Sequence, residues 1–163
     1  MQRCPAPVQE PGVLDFGVDI PFVSHLGFTL HRMDSGHSEL RYEARPEHLN
    51  SFGVTHGGAT MALLDVAMAV ATRSDTPALG VVTIEMKTSF LQPARGALVA
   101  RGQLLHRTGS MAYAEGALYD AEGRLCSHAT GTFKYMHRRA DAEGADKDPT
   151  QSQPQAASLP GDG

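Results

Sequence analysis

Hydrophobic and polar positions divide the middle of the chain into one long apolar segment and several alternating ones. From Gly57 to Thr72 the sequence contains no proline and one charged residue, Asp65. A helix that is apolar almost all round is typically buried. Pro77 disfavours helix in the residue before it, so the segment 73–77 is expected to end this helix. At 1.5 Å per residue, its length is about 25 Å.

The segments on either side of this helix alternate with the period of a β-strand. In 81–90, the apolar residues Val82, Ile84, Met86 and Phe90 alternate with polar ones, which predicts a half-buried strand. Further strands are predicted near 26–33, 36–45, 97–107, 111–119 and 124–136. Two strands, a buried helix and four strands indicate an α+β domain, in which a long antiparallel sheet wraps around one helix.

The two ends of the chain differ in composition from this central part. Residues 1–15 are rich in proline and glycine and predict a loose arm, followed by one domain over 16–139. Residues 140–163 carry five acidic residues and one basic residue, while the rest of the chain carries 13 of each. Such a polar tail buries too little surface to offset its ordering entropy, so we predict that it is disordered.

Charge and hydropathy also narrow the class of protein. The balanced charge of residues 1–139 provides no basic stripe for nucleic acid. No segment approaches the ~20 apolar residues of a membrane span, and the first residues lack the apolar run of a signal peptide. Cys4 and Cys126 predict free thiols rather than a disulfide framework. A cytoplasmic protein with no membrane or nucleic-acid partner is therefore expected.

Asp65 is the most informative residue of the predicted helix. At 100° per residue it shares a face with Met61, Leu64, Met68 and Thr72. A carboxylate in an apolar stripe costs several kcal/mol unless it is paired or functional. From the helix alone, a structural carboxylate satisfied by backbone or arginine and a functional one are about equally good interpretations.

The segment 48–58 places polar side chains and a glycine pair at the start of the helix. Helix N-termini present unpaired N–H groups and a partial positive charge, which suit an oxyanion. Glycine lets a substrate approach the backbone closely. Taken alone, the segment also fits an ordinary transition from loop to helix, and His56 an ordinary surface histidine.

Together, these residues form a recognisable motif with the spacing H-x-N-x-x-G-x-x-H-G-G-x6-D. Its residues are His48, Asn50, Gly53, His56, Gly57, Gly58 and Asp65. With weaker matches at 83–86, 90–94 and 131–133, the chain resembles the PaaI-type (phenylacetate-degradation) acyl-CoA thioesterases of the hotdog superfamily over residues 20–136. The resemblance implies a hotdog fold and hydrolysis of aryl or medium-chain acyl-CoA to the free acid and CoA.

The resemblance also implies a role for each catalytic candidate. The Gly57 N–H would stabilise charge on the thioester oxygen, and Asn50 would orient the carbonyl or the attacking water. His56 would lie near the carbonyl or the leaving sulfur. Asp65 would act as general base or attack directly, with Thr83 placing the nucleophile. The implied assembly is a homodimer, or a homotetramer as a dimer of dimers, in which Asp65 and Thr83 face the partner's Asn50 and Gly57.

Substrate contacts beyond the reacting carbonyl follow from the same resemblance. The residues expected to bind substrate are Gly58, His48, Arg107, Ser110 and Lys134. Many relatives carry a basic residue after the glycine that corresponds to Gly109, where this chain has Ser110. Contacts to the CoA phosphates would then fall on Arg107, Lys134 or the pair at 138–139, each of which also fits ordinary solvated surface. Because a thiolate leaves readily, no metal and no cofactor apart from the substrate's own CoA is expected.

The sequence also bears on four other classes of protein. An α/β-hydrolase is excluded because the chain has no Gly-x-Ser-x-Gly elbow. The eight histidines lack the His-x-x-x-His and Glu-x-x-His spacings of common metal sites. A hotdog enoyl-thioester hydratase and a non-catalytic acyl-CoA sensor stay open as alternatives, although neither flank of the domain predicts the DNA-binding helices of a sensor.

Overall fold

The computed structural model describes residues 12–137. The predicted tail at 140–163, the basic pair at 138–139 and most of the predicted arm lie outside the described residues. The elements in chain order are α1 (Pro21–Leu26), β1 (Thr29–Asp34), β2 (His37–Glu43), a 3₁₀ turn (Pro46–His48), α2 (Gly57–Arg73), β3 (Leu79–Phe90), β4 (Ala97–Arg107), β5 (Met111–Tyr119) and β6 (Leu125–His137).

The six strands form one antiparallel sheet in the order β1-β2-β4-β5-β6-β3. The long helix α2 lies across one face of this sheet and contacts all six strands. We call that face the inner face and the opposite one the outer face. The α+β architecture predicted from the sequence is thereby confirmed, and α2 extends one residue beyond the predicted segment.

Glycines on the inner face of the central strands let α2 lie close to the sheet. A Cβ at Gly102 would overlap the Ala67 carbonyl oxygen, and one at Gly116 would stand 3.2 Å from Leu64 and Met68 side-chain atoms. The Ser38 hydroxyl donates to the same Ala67 oxygen at 2.7 Å. These contacts hold the middle of the helix, and hence Asp65, at a fixed height above the sheet.

The predicted strand at 26–33 is wrong in its first residues. A short helix, α1, occupies Pro21–Leu26, and the chain then turns through Gly27, which has a φ of 82°. Proline at the first helical position and glycine just after the last are the usual signals of such a helix. Before this helix, the Leu14 N–H donates to the Leu30 carbonyl at 2.7 Å.

Strand β3 departs from simple alternation because of a bulge between Thr83 and Glu85. Thr83 pairs with the buried Phe133 on the inner face, whereas Glu85 pairs with Thr132 on the outer face. The apolar residues predicted to share one face are therefore divided: Val82 lies on the outer face, and Met86 and Phe90 lie on the inner one. Val82, Ile84 and Phe90 are 46%, 55% and 55% exposed.

One flank of α2 remains partly open. Gly58, Met61, Ala62, Asp65, Val66 and Ala69 are all exposed or half-buried, whereas Leu63, Leu64, Ala67 and Met68 are fully buried. Their spacing of three and four residues makes the open positions one continuous stripe along the helix. The prediction of a helix buried all round is thus wrong for this stripe, which carries Asp65.

Candidate functional site

Asp65 and Thr83 form one half of the candidate site. The Thr83 hydroxyl donates a hydrogen bond of 2.8 Å to Asp65 Oδ1. Asp65 projects from the middle of α2, and the bulge in β3 turns Thr83 toward the inner face, where it reaches the carboxylate. The structure therefore pairs Asp65 with a hydroxyl rather than with arginine, which was the structural alternative raised by the sequence.

Burial sets the proton affinity of Asp65. Loss of solvent raises the pKa of its carboxyl group above the ordinary value, and the hydrogen bond from Thr83 opposes that rise by favouring the charged form. A carboxylate with a raised pKa holds a proton more tightly than an exposed aspartate does. It can therefore take a proton from water more readily, as a general base requires.

The start of α2 forms the other half. His56 is the N-cap of the helix, and its Nδ1 accepts the Gly58 N–H at 2.9 Å. The Gly57 N–H, first in the helix, has no acceptor within α2, and within residues 12–137 no other group accepts from it. Gly57 thus offers a free donor at the positive end of the helix dipole, whereas the N–H of Gly58 is already engaged.

Asn50 closes the loop that leads into α2. Its Oδ1 accepts the N–H groups of Phe52 at 2.9 Å and Val54 at 3.3 Å. Since the amide oxygen is used by the loop, the amide NH₂ is the part of the side chain that can donate to a substrate carbonyl. Asn50 and Gly57 line the same cavity.

This cavity, of about 470 Å³, lies beside the start of α2. Its wall is largely apolar, and the Phe90 ring lies against Gly57, 3.4 Å from the position that a Cβ would take there. Phe52 and Leu91 add to this wall, while Arg95 lines the cavity and donates to the Gly53 carbonyl at 2.6 Å. Sequence reasoning assigned none of these four residues a role, since they are distant in sequence or, like Phe52, lie at unspecified motif positions.

His48 is buried behind the loop. Its Nδ1 lies 2.8 Å from the Tyr42 hydroxyl, its Nε2 lies 3.2 Å from an Arg45 guanidinium nitrogen, and its carbonyl accepts the His56 N–H. Neither His48 nor Gly58 is among the residues that line the cavity. The contacts of His48 are those of a residue that supports the loop before α2, and its role in substrate binding stays a prediction.

Three of the residues predicted to bind substrate, Arg107, Ser110 and Lys134, lie near the β4–β5 turn and the part of β6 that pairs with it. The Arg107 guanidinium stands 5.7 Å from the centre of the Tyr135 ring, and the Ser110 carbonyl accepts the Tyr135 N–H at 2.9 Å. Lys134, the residue before Tyr135, is exposed and pairs with Met111 of β5. Because Thr83 pairs with Phe133, this group lies at the same end of the sheet as the Asp65–Thr83 pair.

The two halves of the site are separate within one chain. Gly57 and Asp65 are eight residues apart on α2, which places them about 12 Å apart along the helix axis. An oxyanion donor lies about 3 Å from the oxygen that it stabilises. One chain therefore presents a carboxylate with Thr83 in one place and a donor with Asn50 in another.

Two further features of the described part of the chain concern metals and membranes. No group of three or more histidine, cysteine or acidic residues is placed to hold a metal ion there. The helices within residues 12–137 also include none that is long and apolar enough to cross a membrane.

The family model of the thioesterase superfamily matches residues 52–127. A candidate esterase of Halobacterium salinarum is 33% identical over 128 residues, which cover 71% of this chain and 85% of that protein. A candidate thioesterase from Ralstonia eutropha, described as related to phenylacetic acid degradation, has a TM-score of 0.66 at 29% identity and covers 72% of this chain and 92% of its own.

A variant of the phenylacetic acid degradation protein PaaI from Thermus thermophilus has a similar structure. It has a TM-score of 0.65 at 26% identity, over 71% of this chain and 98% of its own. The family match includes Gly57, Asp65 and Thr83 and begins two residues after Asn50. The chain belongs to the thioesterase superfamily and has its hotdog fold.

Proposed function

We propose that the protein is a thioesterase that hydrolyses acyl-CoA thioesters to the free acid and CoA, with Asp65 as its catalytic carboxylate. The observation that carries this proposal is Asp65 itself. It is a desolvated carboxylate on an otherwise apolar helix, held by Thr83, in a chain of the thioesterase superfamily. Residues with a pKa perturbed by burial cluster at functional sites.

The chemistry needs few groups because a thiolate leaves readily. The Gly57 N–H and the Asn50 amide bind the carbonyl oxygen as it gains negative charge. Asp65 either takes a proton from the water that attacks the carbonyl carbon, or attacks that carbon itself to form a mixed anhydride that water then hydrolyses. In both routes the C–S bond breaks and the CoA sulfur leaves as a thiolate that is protonated afterwards.

A complete site requires two subunits. Since Asp65 and Gly57 of one chain are too far apart to act on one carbonyl, the proposal pairs Asp65 and Thr83 with Gly57 and Asn50 of a second copy. The edge of β3, which no strand of the described part of the chain pairs, and the open stripe of α2 are the surfaces proposed for this contact. A homodimer, assembled further into a dimer of dimers, is the proposed form.

The proposed substrate class rests on the cavity beside Gly57 and on the polar residues near the β4–β5 turn. The cavity beside Gly57 has a mainly apolar wall, which suits an aryl or medium-chain acyl group. Arg107 and Lys134 are the proposed contacts for the CoA phosphates, with Ser110 as a further substrate contact, and no cofactor beyond the substrate's own CoA is required.

A panel of acyl-CoA thioesters tests the proposal by release of free thiol. We expect saturable thiol release from aryl or medium-chain substrates and its loss in Asp65→Asn. A non-catalytic sensor would bind the same compounds in calorimetry without releasing thiol. A hydratase would consume enoyl-CoA without releasing thiol. Either result would overturn the proposal.

A further inference from the structure

The free edge of β3 carries two opposite charges close together on the outer face. Glu85 and Lys87 are both exposed and pair with Thr132 and Thr130 of β6. Met86 lies between them and points to the inner face, opposite Gly131. Because β3 is the last strand of the sheet within residues 12–137, these charges stand beside a row of backbone donors and acceptors that no described strand pairs.

When two copies of one strand pair about a two-fold axis, the residue that lies on the axis defines the register, that is, which residues of the two strands face each other. With the axis through Met86, Glu85 of each copy faces the partner's Lys87. A shift of the axis by one residue places either the two copies of Glu85 or the two copies of Lys87 directly opposite each other. Like charges in directly opposed positions destabilise a strand pair, and opposite charges stabilise it.

The position of the two half-sites gives a second, independent constraint. Phe90 lies against Gly57, so it is the part of β3 nearest the start of α2. Thr83 is hydrogen-bonded to Asp65, so it is the part of β3 nearest the carboxylate. With the axis at Met86, Phe90 faces the partner's Val82, or the partner's Val81 once the bulge is counted. Both lie within two residues of the partner's Thr83. An axis at Ile84 would instead carry Phe90 beyond the first residue of β3.

We propose that Glu85 and Lys87 set the register of the β3–β3 dimer about Met86, and thereby align the carboxylate of one subunit with the oxyanion donors of the other. The catalytic consequence rests on the thioesterase function proposed above. The dimer itself can be measured without any substrate, so the two proposals are separable.

Engineered cysteines measure the register directly. In a Cys4→Ser background, Met86→Cys places two thiols face to face across the axis, within reach of a disulfide. The matched control, Thr88→Cys, also lies on the inner face but separates the thiols by four residues, about 13 Å. We expect mild oxidation to cross-link Met86→Cys and not Thr88→Cys, as seen on a non-reducing gel. The reverse pattern, or cross-linking of neither, would overturn the register.

Exchanging the charges at Glu85 and Lys87 tests whether these residues set the register of the β3–β3 dimer. Glu85→Lys places lysine at both positions and Lys87→Glu places glutamate at both, so each variant opposes like charges in its own dimer. We expect the dimer dissociation constant of each to rise at least ~10-fold by sedimentation equilibrium. An equimolar mixture restores both opposite-charge pairs and should associate like the wild type. Glu43→Lys, the same charge change on the distant strand β2, should leave association unchanged.

Each outcome separates register from function. Circular dichroism and melting temperature first establish that the variants are folded. If the single variants associate as tightly as the wild type, or the mixture does not recover, Glu85 and Lys87 do not set the register. If association and cross-linking follow the proposal but no acyl-CoA releases thiol in any sample, the thioesterase function fails and the register stands.

Discussion

At the scale of single residues, two opposing influences set the pKa of Asp65 in the candidate site. Burial favours the protonated carboxyl group, and the Thr83 hydroxyl favours the carboxylate, with the net result that the pKa of Asp65 is raised. The hydrogen bond comes from Thr83, whereas the burial is that of Asp65 itself. A substitution at Thr83 can therefore remove the hydrogen bond and leave Asp65 buried.

Asp65→Asn removes the charge while keeping the volume of the side chain and an acceptor for Thr83. We expect kcat to fall at least ~10²-fold, within the range of general-base removal. Because the folded-state pKa is raised, ionisation of Asp65 opposes folding once the pH exceeds the unfolded value. The variant should therefore melt at the same or a higher temperature at neutral pH. Near-wild-type turnover in a folded variant would reject Asp65 as the catalytic group.

Thr83→Val changes the pH dependence in a defined direction. The carboxylate is the active form of a base, so kcat/KM is expected to rise with pH as Asp65 loses its proton. Removal of the Thr83 hydrogen bond raises the pKa of Asp65 further and moves this acidic limb to higher pH. Thr83→Ser keeps the hydroxyl and should keep the limb in place. An unshifted limb in the valine variant would assign that limb to another group.

At the scale of elements, the N-terminus of α2 combines a structural cap with a free donor. His56 satisfies the Gly58 N–H through Nδ1, and the Gly57 N–H stays free at a residue that lines the cavity. The role of His56 in capping is visible in the structure, whereas a contact of its ring with the substrate sulfur stays a prediction.

Substitution at His56 separates these roles. His56→Ala removes the cap and should lower the free energy of unfolding by about 0.5–2 kcal/mol, as for other N-caps. His56→Asn supplies a good capping side chain and should recover that stability in chemical denaturation. If the asparagine variant recovers stability and turnover together, the imidazole acts as a cap alone. An alanine variant as stable as the wild type would contradict the capping role.

The elements were predictable to different degrees. The helix at 57–73 and the strands at 97–107 and 111–119 were predictable because their apolar pattern is long and bounded by turn residues. The bulge in β3 was not, because it leaves the sequence pattern intact and is imposed by pairing with β6. That bulge decides that Thr83, and not its neighbour Ile84, meets Asp65.

At the scale of the whole molecule, the separation of Asp65 from Gly57 makes subunit mixing the decisive measurement. Asn50→Ala subunits and Asp65→Asn subunits should each be inactive alone. Random exchange makes half of the dimers mixed, and each mixed dimer has one site with both lesions and one with neither. About a quarter of the wild-type sites should then reappear.

Two controls make this experiment conclusive. Size-exclusion chromatography must show dimers or larger assemblies, and labelled subunits must show exchange. With both satisfied, absence of recovered thiol release would place each site within one chain and contradict the shared site. Asp65 would still be tested separately by its own asparagine variant.

What the sequence by itself determined is what local pattern and motif spacing encode. The apolar segment around Asp65 and the glycines at 57 and 58 indicated a helix with a carboxylate in its middle and donors at its start. The resemblance added a family, which the comparisons confirm. These features are readable because each depends on neighbours within a few residues.

Only the tertiary structure decided which segments that are distant in sequence contact each other. The glycines of β4 and β5 set the height of α2, Phe90 forms a wall of the cavity at Gly57, and Thr83 meets Asp65 across a bulge. The open edge of β3 and the open stripe of α2 also appear only once the other surfaces are buried. The physical reason is that strand pairing and packing join residues far apart in sequence, and no local pattern records which partner each one meets.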